Sequence, residues 1–236
     1  MAAAIAAASP VHAAGLKVFP VRVLLTPGEA VQTMTIENSS DTPSRIQMRV
    51  YSWRQVDGQD VLEPTREVLA NPTLFEVAPG GTQITRFGLR TARSDQEKSY
   101  RVVLEEIPGT RAPKPGEVQT LLRISIPIFV PPGQPLGKLR WRAWPAGVQK
   151  VGFAIRNEGN AHVQINRLTL KRHDGKALGQ QHMSVYLLPG STRQVELNVG
   201  SPIAAGQALV LDATTDQADV TAELVAERPP NEAPAP

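Results

Sequence analysis

Residues 118–130 read Val-Gln-Thr-Leu-Leu-Arg-Ile-Ser-Ile-Pro-Ile-Phe-Val. From Val118 onward, Leu122, Ile124, Ile126 and Ile128 share one parity, while Gln119, Arg123 and Ser125 hold the other. A period of two is that of an extended strand with distinct faces. Turn-forming clusters bound the run, Pro113–Gly116 before it and Pro131-Pro132-Gly133-Gln134-Pro135 after it.

Working outward, the chain from Leu16 to Pro132 repeats this pattern of short β-type runs and turns at the spacing of an all-β sandwich. The expected strands are Lys17–Leu25, Val31–Glu37, Arg45–Trp53, Gln83–Leu89, Tyr100–Glu106 and Val118–Val130. Turns are read at Pro27-Gly28, Ser39–Pro43, Asp57-Gly58 and Pro79-Gly80-Gly81. In Arg45–Trp53, Ile46, Met48 and Val50 fall on one face and Gln47, Arg49 and Tyr51 on the other. The proline cluster after Val130 reads as a short stiff hinge over 133–138, because proline fixes φ and cannot donate to a ladder. A second strand-rich region follows, with expected strands Val148–Arg156, His162–Lys171, Met183–Leu187, Arg193–Val199 and Ala208–Ala213. Its turns are Asn157–Asn160, Asp174-Gly175 and Pro189-Gly190. The expected organisation is thus a sandwich over 16–132, a second over 139–228 and a disordered tail over 229–236.

The 236 residues suit two such domains, and 41% apolar with 20% charged residues is the composition of a folding chain. Residues 1–15 have the small-residue character of a signal peptide, and Val11-His12-Ala13 fits a signal-peptidase site, although the first basic residue is Lys17. Export is the expectation. No later apolar stretch approaches the roughly 20 residues that cross a bilayer. The 25 basic residues stand against 22 acidic ones, form no run, and come with only five Phe, three Tyr and three Trp for base stacking, so no nucleic-acid partner is expected.

Catalysis is not expected either. With no cysteine, thiolate chemistry and sulfur-ligated metals are excluded. His12 lies in the signal-like region, and His162, His173 and His182 lack metal-ligand spacing and read as scattered surface residues. Glu105 and Glu106 point to opposite faces of one strand, Gly80-Gly81 is a turn, and Ser191 and Ser201 have no nucleophile-elbow setting. No cofactor is expected.

Several local stretches, in this order, resemble PapD-like periplasmic chaperones of the chaperone/usher pathway across most of residues 16–226. They are Arg22-Val-Leu-Leu-Thr-Pro-Gly, Ile36-Glu-Asn-Ser, Pro79-Gly-Gly-Thr-Gln-Ile-Thr-Arg-Phe, Ser99-Tyr-Arg-Val-Val-Leu-Glu-Glu-Ile-Pro, Ile126-Pro-Ile-Phe-Val, Phe153-Ala-Ile-Arg-Asn-Glu-Gly-Asn and Leu187-Leu-Pro-Gly-Ser. Tyr51-Ser-Trp, Ser99-Tyr-Arg and Ser125-Ile-Pro-Ile-Phe are most similar to the archaic, Csu-type branch. The resemblance implies two immunoglobulin-like sandwiches in tandem, boomerang-shaped, working in the periplasm. It also implies that pilin subunits and an outer-membrane usher are the partners; whether the free protein self-associates to cover its apolar strand is not fixed by the sequence.

In that family the chaperone lends a strand to an incomplete pilin sandwich: backbone hydrogen bonds give affinity and apolar side chains enter the subunit's open core. The donor row implied here is Val118, Thr120, Leu122, Ile124 and Ile126, with Ile126, like Ile128, read as filling the domain's own core. The family also pairs the subunit's C-terminal carboxylate with basic residues. Arg22 matches its first-strand arginine, but the lysine of its last-strand motif falls on Pro127, so Arg101 is the expected replacement anchor. The motif's final arginine falls on Pro131, which puts the family's interdomain ion pair in doubt. A structural, adhesive or sugar-binding immunoglobulin-like exported protein is the competing reading, weakened for sugars by the scarcity of aromatics.

Overall fold

The computed structural model describes residues 15–26, 28–92, 94–109 and 120–230. The signal-like segment through residue 14, Val118 and residues 231–236 lie outside the described residues. Within them every regular element is a strand, and the chain divides into two compact units. The first takes the chain to Ser52, Glu63–Thr91 and Tyr100–Phe129; the second takes Trp53–Leu62, Ala92–Ser99 and everything from Val130.

The N-terminal strands are β1 (Leu16–Phe19), β2 (Val23–Leu24), β3 (Val31–Asn38), β4 (Ser44–Val56), β5 (Gln59–Pro64), β6 (Val68–Asn71), β7 (Leu74–Val77), β8 (Thr82–Leu89), β9 (Lys98–Glu106) and β10 (Arg123–Val130). They form two sheets, ordered β1-β3-β8-β6 and β2-β10-β9-β4-β5, with β7 also on β4. Met34, Ile36 and Phe87 from one sheet and Ile46, Met48, Val102, Leu104, Ile126 and Ile128 from the other are buried as the core.

The expected strand Lys17–Leu25 is broken at Pro20, whose ring removes the N–H a ladder needs. Its first half pairs with β3 and its second with β10 in the other sheet. Asp57 and Gly58, expected as a turn, both take positive φ, 49° and 73°, and close the β4–β5 hairpin. β5, β6 and β7 have no clear apolar alternation, and partners on β4 and β8 make them strands.

The second unit contains β11 (Leu139–Gly147), β12 (Lys150–Asn157), β13 (Val163–Arg172), β14 (Ala177–Leu187), β15 (Thr192–Asn198), β16 (Ala208–Thr215) and β17 (Val220–Val225). Its sheets run β11-β12-β15 and β14-β13-β16-β17. Phe153, Ile155, Leu168, Leu170, Leu209 and Leu211 lie in its core. In β13 the buried set changes parity, from Val163 and Ile165 to Leu168 and Leu170, because a bulge between Ile165 and Arg167 inserts one residue into the ladder. Val148, expected to begin a strand, lies 79% exposed in the turn joining β11 to β12. The hairpin tip belongs to this unit through Gln55, which donates to the Tyr186 carbonyl and accepts from the Leu188 N–H, each at 3.0 Å.

One buried amide recurs in both sandwiches. Asn38, closing β3, donates through Nδ2 to the carbonyls of Thr42 (2.7 Å) and Val77 (3.0 Å), and its Oδ1 accepts from the Ser40 N–H (3.0 Å). Asn157, closing β12, donates to Ala161 (2.7 Å) and Leu187 (3.0 Å) and accepts from Gly159 (2.9 Å). The main chain repeats too: the N–H groups of Gly80 and Gly190, both at positive φ, donate to the carbonyls of Asn38 and Asn157 at 2.8 and 2.9 Å. Each asparagine therefore ties the turn after its own strand to a Pro-Gly turn about forty or thirty residues away, and the positive φ explains the glycine.

Removing such an amide strands buried carbonyls, each costing about 1–3 kcal/mol. Asn157→Ala, and equally Asn38→Ala, should lower stability in urea unfolding by about 2–4 kcal/mol. A loss below about 1 kcal/mol would mean that water replaces the amide.

Candidate functional site

β10 lies between β2 and β9. Its register against β9 is set where the Glu106 N–H donates to the Leu122 carbonyl at 2.9 Å, while Glu106 Oε2 accepts the Leu122 N–H at 3.2 Å. One step along, Arg123 pairs with Glu105 at 3.0 Å on the opposite face. Continued antiparallel without a bulge, this register sets Ile124 across from Leu104, Ile126 from Val102 and Pro127 from Arg101.

The inward row of β10 leaves the core gradually. Ile128 and Ile126 are 0% and 3% exposed, Leu122 and Ile124 are half-buried, and Thr120 is exposed. Ile126 thus occupies the domain's own core, whereas Leu122 and Ile124 present apolar surface not yet fully covered. Leu121, of the other parity, is 41% exposed. Because Leu122 exchanges hydrogen bonds with Glu106, the N–H groups of Arg123 and Ser125 point away from β9. Among the described residues, the register of β10 with β2 covers Ile128 and Phe129. Pro127, with no N–H, lies just before that covered stretch.

The two arginines singled out in the sequence converge on that proline. Arg101 is half-buried and sits directly opposite Tyr51 of β4. The parallel pair Val23–Ile128 brings Arg22, one residue earlier, level with Pro127. Arg22, just before β2, and Arg101 of β9 thus lie on either side of the strand that carries Pro127, and Arg101 has Tyr51 of β4 as its further neighbour. β9 is held at its start by Tyr100, whose ring is 1% exposed and whose hydroxyl donates to Glu67 Oε2 at 2.5 Å. Burial, reinforced by this carboxylate, pushes the phenol far above its ordinary pKa, so it stays a neutral donor.

His162 corrects the sequence reading. Expected as a surface residue, it is 6% exposed in the second unit. Its Nδ1 faces both oxygens of the buried Glu97 carboxylate, at 2.8 and 2.9 Å, its own N–H donates to Glu97 Oε1 at 3.1 Å, and Nε2 lies 3.4 Å from Asp216 Oδ2. Burial disfavours the imidazolium, but hydrogen bonding and charge from Asp216 and Glu97 outweigh it and hold the pKa above the ordinary value. Sequence spacing could not reveal this cluster, because its members lie 65 and 54 residues apart along the chain. Among the described residues no group of three side chains is arranged to hold a metal ion.

A model of the pili and flagellar-assembly chaperone family, PapD N-terminal domain, matches residues 15–135. A search of curated protein sequences finds no match. Among solved structures, the CsuC–CsuE chaperone–tip subunit pre-assembly complex from archaic chaperone-usher Csu pili of Acinetobacter baumannii aligns over 92% of this chain and 100% of that one, at 18% identity and a TM-score of 0.65. The Salmonella enterica SafB chaperone in complex with the SafA pilin covers 92% and 98%, at 18% identity and a TM-score of 0.58. The Pseudomonas aeruginosa CupB2 chaperone covers 89% and 100%, at 17% identity and a TM-score of 0.56. These likenesses identify the fold as two immunoglobulin-like domains in tandem. With the family model spanning half the chain and the strand order in place, the protein belongs to the pili and flagellar-assembly chaperones of the PapD type.

Proposed function

We propose that this chain is a periplasmic chaperone that stabilises pilin subunits by lending them the first half of β10 and its preceding residues, and delivers them to an outer-membrane usher. The observation that carries the reading is the apolar row that runs out of its own core at Leu122 and Ile124, beside a proline flanked by arginines. Backbone groups of Arg123 and Ser125 supply sequence-tolerant pairing, and Val118, Leu122 and Ile124 supply the side chains that enter the subunit. Arg101 and Arg22 take the subunit's C-terminal carboxylate, where planar guanidinium forks suit bidentate pairing and fix the register. The sequence markers Tyr51-Ser-Trp and Ser99-Tyr-Arg, with the structural likeness to CsuC, support the archaic branch.

The test is co-expression with a pilin encoded beside this chain, scored as soluble 1:1 complex. Leu122→Asp should weaken binding at least about tenfold, because a donor side chain contributes about 1.5–3 kcal/mol and a buried unpaired carboxylate adds to the loss. Arg101→Ala should weaken it about tenfold or more while leaving the free protein folded. Complex yield unaffected by both changes would sink the assignment. Hydrogen exchange gives an independent check: amides along one edge of the pilin should become protected on binding, and unchanged protection would speak for a non-donating mode.

A further inference from the structure

We propose that the outward face of β11, β12 and β15 in the second unit is a docking site for an extended acidic polypeptide segment, whose carboxylates are taken by Arg140 and Arg156. The inference goes beyond the chaperone reading and does not rest on it.

The strand registers build this face. Arg140 of β11 lies directly across from Arg156 of β12, which lies across from Thr192 of β15. The neighbouring outward row reads Arg142, Ala154 and Gln194. Ala154 is the smallest of these side chains, and a concavity of about 720 Å³ lined by it, the three arginines and Thr192 opens on the surface.

Two guanidinium-bearing residues directly opposite each other on one face repel, which weakens the strand pair. Neighbouring acids relieve this only in part. Arg142 is engaged by Glu227, its Nε 3.1 and 2.9 Å from the two carboxylate oxygens and its Nη2 2.5 Å from one of them. Lys150, further along the face, pairs with Glu196 at 2.9 Å. Arg140 meets Glu158 only at 3.5 Å, and the other oxygen of that carboxylate lies 3.7 Å from Lys138, so one acid is shared between two cations. Arg156 is exposed and its guanidinium has no hydrogen-bond or ion-pair partner among the described residues. The face therefore carries an unanswered positive charge. Hydrogen bonds from Arg142, opposed by burial and reinforced by the charges of Arg142 and Arg140, hold the Glu227 carboxyl below its ordinary pKa, so the field of the arginines already acts on a carboxylate.

The chemistry favours carboxylates on an extended chain over a phosphate group. Phosphates are commonly cradled by converging backbone N–H groups. Here the Gly159 N–H is given to Asn157 Oδ1 and the Gly190 N–H to the Asn157 carbonyl, each at 2.9 Å. What remains are guanidinium forks, which match carboxylates bidentately. Glu227 shows that seat in use: its N–H donates to the Ala143 carbonyl at 2.7 Å while its carboxylate forks onto Arg142. Alternate residues of an extended segment stand about 6.8 Å apart, as Arg140 and Arg142 do along β11, and adjacent strands lie about 4.8 Å apart. A segment with acidic residues at every second position can therefore seat one carboxylate between Arg140 and Arg156. The next then falls over Ala154 toward Arg142, whose Nη1 Glu227 does not engage.

Calorimetry on the intact chain at low ionic strength tests this, with the peptide Glu-Ser-Glu-Ser-Glu-Ser as probe and Gln-Ser-Gln-Ser-Gln-Ser as its neutral counterpart. The acidic peptide should bind and the neutral one should not. Arg140→Gln and Arg156→Gln should each weaken the acidic peptide about tenfold, the loss expected when the cationic partner of a charge-assisted hydrogen bond is removed. Arg172→Gln, which removes the same charge from β13 in the other sheet, should change binding less than about twofold. Equal losses in all three variants would reduce the effect to net charge and overturn the site, as would undiminished binding in Arg156→Gln. Inorganic phosphate that displaces the peptide at equal concentration would overturn the polypeptide as occupant. The thermal unfolding midpoint of Arg156→Gln should hold or rise, because a cross-strand repulsion is removed. A fall would make Arg156 a structural residue and overturn the proposal.

Discussion

The alternation of side chains along β10 links the first sandwich's core to its candidate site. Ile126 and Ile128 belong to the core, and Pro127 and Phe129, between and beside them, necessarily face the other way. Sliding the strand by one residue would turn Ile126 and Ile128 out and bring Pro127 inward, so core packing resists any change in where the site residues stand. The position of Pro127 between the strands that carry Arg22 and Arg101 is thus inherited from hydrophobic burial. The pairing of Glu106 with Leu122 and of Glu105 with Arg123 sets the same register from the other end of the strand.

The two sandwiches reach the same closure through different sequences. Ile36-Glu37-Asn38 and Ile155-Arg156-Asn157 each end a strand with an inward amide, and each amide spans a local turn and a distant Pro-Gly turn. A buried asparagine has two donors and an acceptor to satisfy, and few backbone arrangements satisfy all of them. That demand explains why the turn glycines recur where the intervening strands differ in length and in regularity, as the bulge in β13 shows.

Much of this was legible in the sequence because burial writes its period directly into the side chains. β3, β4, β8, β9 and β10 could be read from alternation, and the turns from Pro-Gly and Asp-Gly pairs. β5, β6 and β7 could not, since β5 has no buried residue and β6 and β7 are four-residue strands with one buried residue each, Val68 and Val77, too short to show a period. β11 carries the same signal, Arg140 and Arg142 alternating with Leu139, Trp141 and Ala143, yet lies outside the expected strands. Within the candidate site, the residue types on β10 could be read, but the placement of Arg22 and Arg101 on either side of Pro127 needed the ladder. His162 was misplaced because a lone histidine carries no periodic signal and its partners come from remote turns.

The half-burial of Leu122 and Ile124 also bears on reversibility. A side chain already partly covered in the free protein has less water left to shed, so the gain on transferring it to another core is a fraction of the roughly 1.5–3 kcal/mol for full burial. On the proposed reading, the lent strand is therefore a weaker ligand than one whose whole row starts in solvent. Such a competitor could displace β10 downhill in free energy, with no nucleotide consumed, while the chaperone closes its own apolar surface behind it.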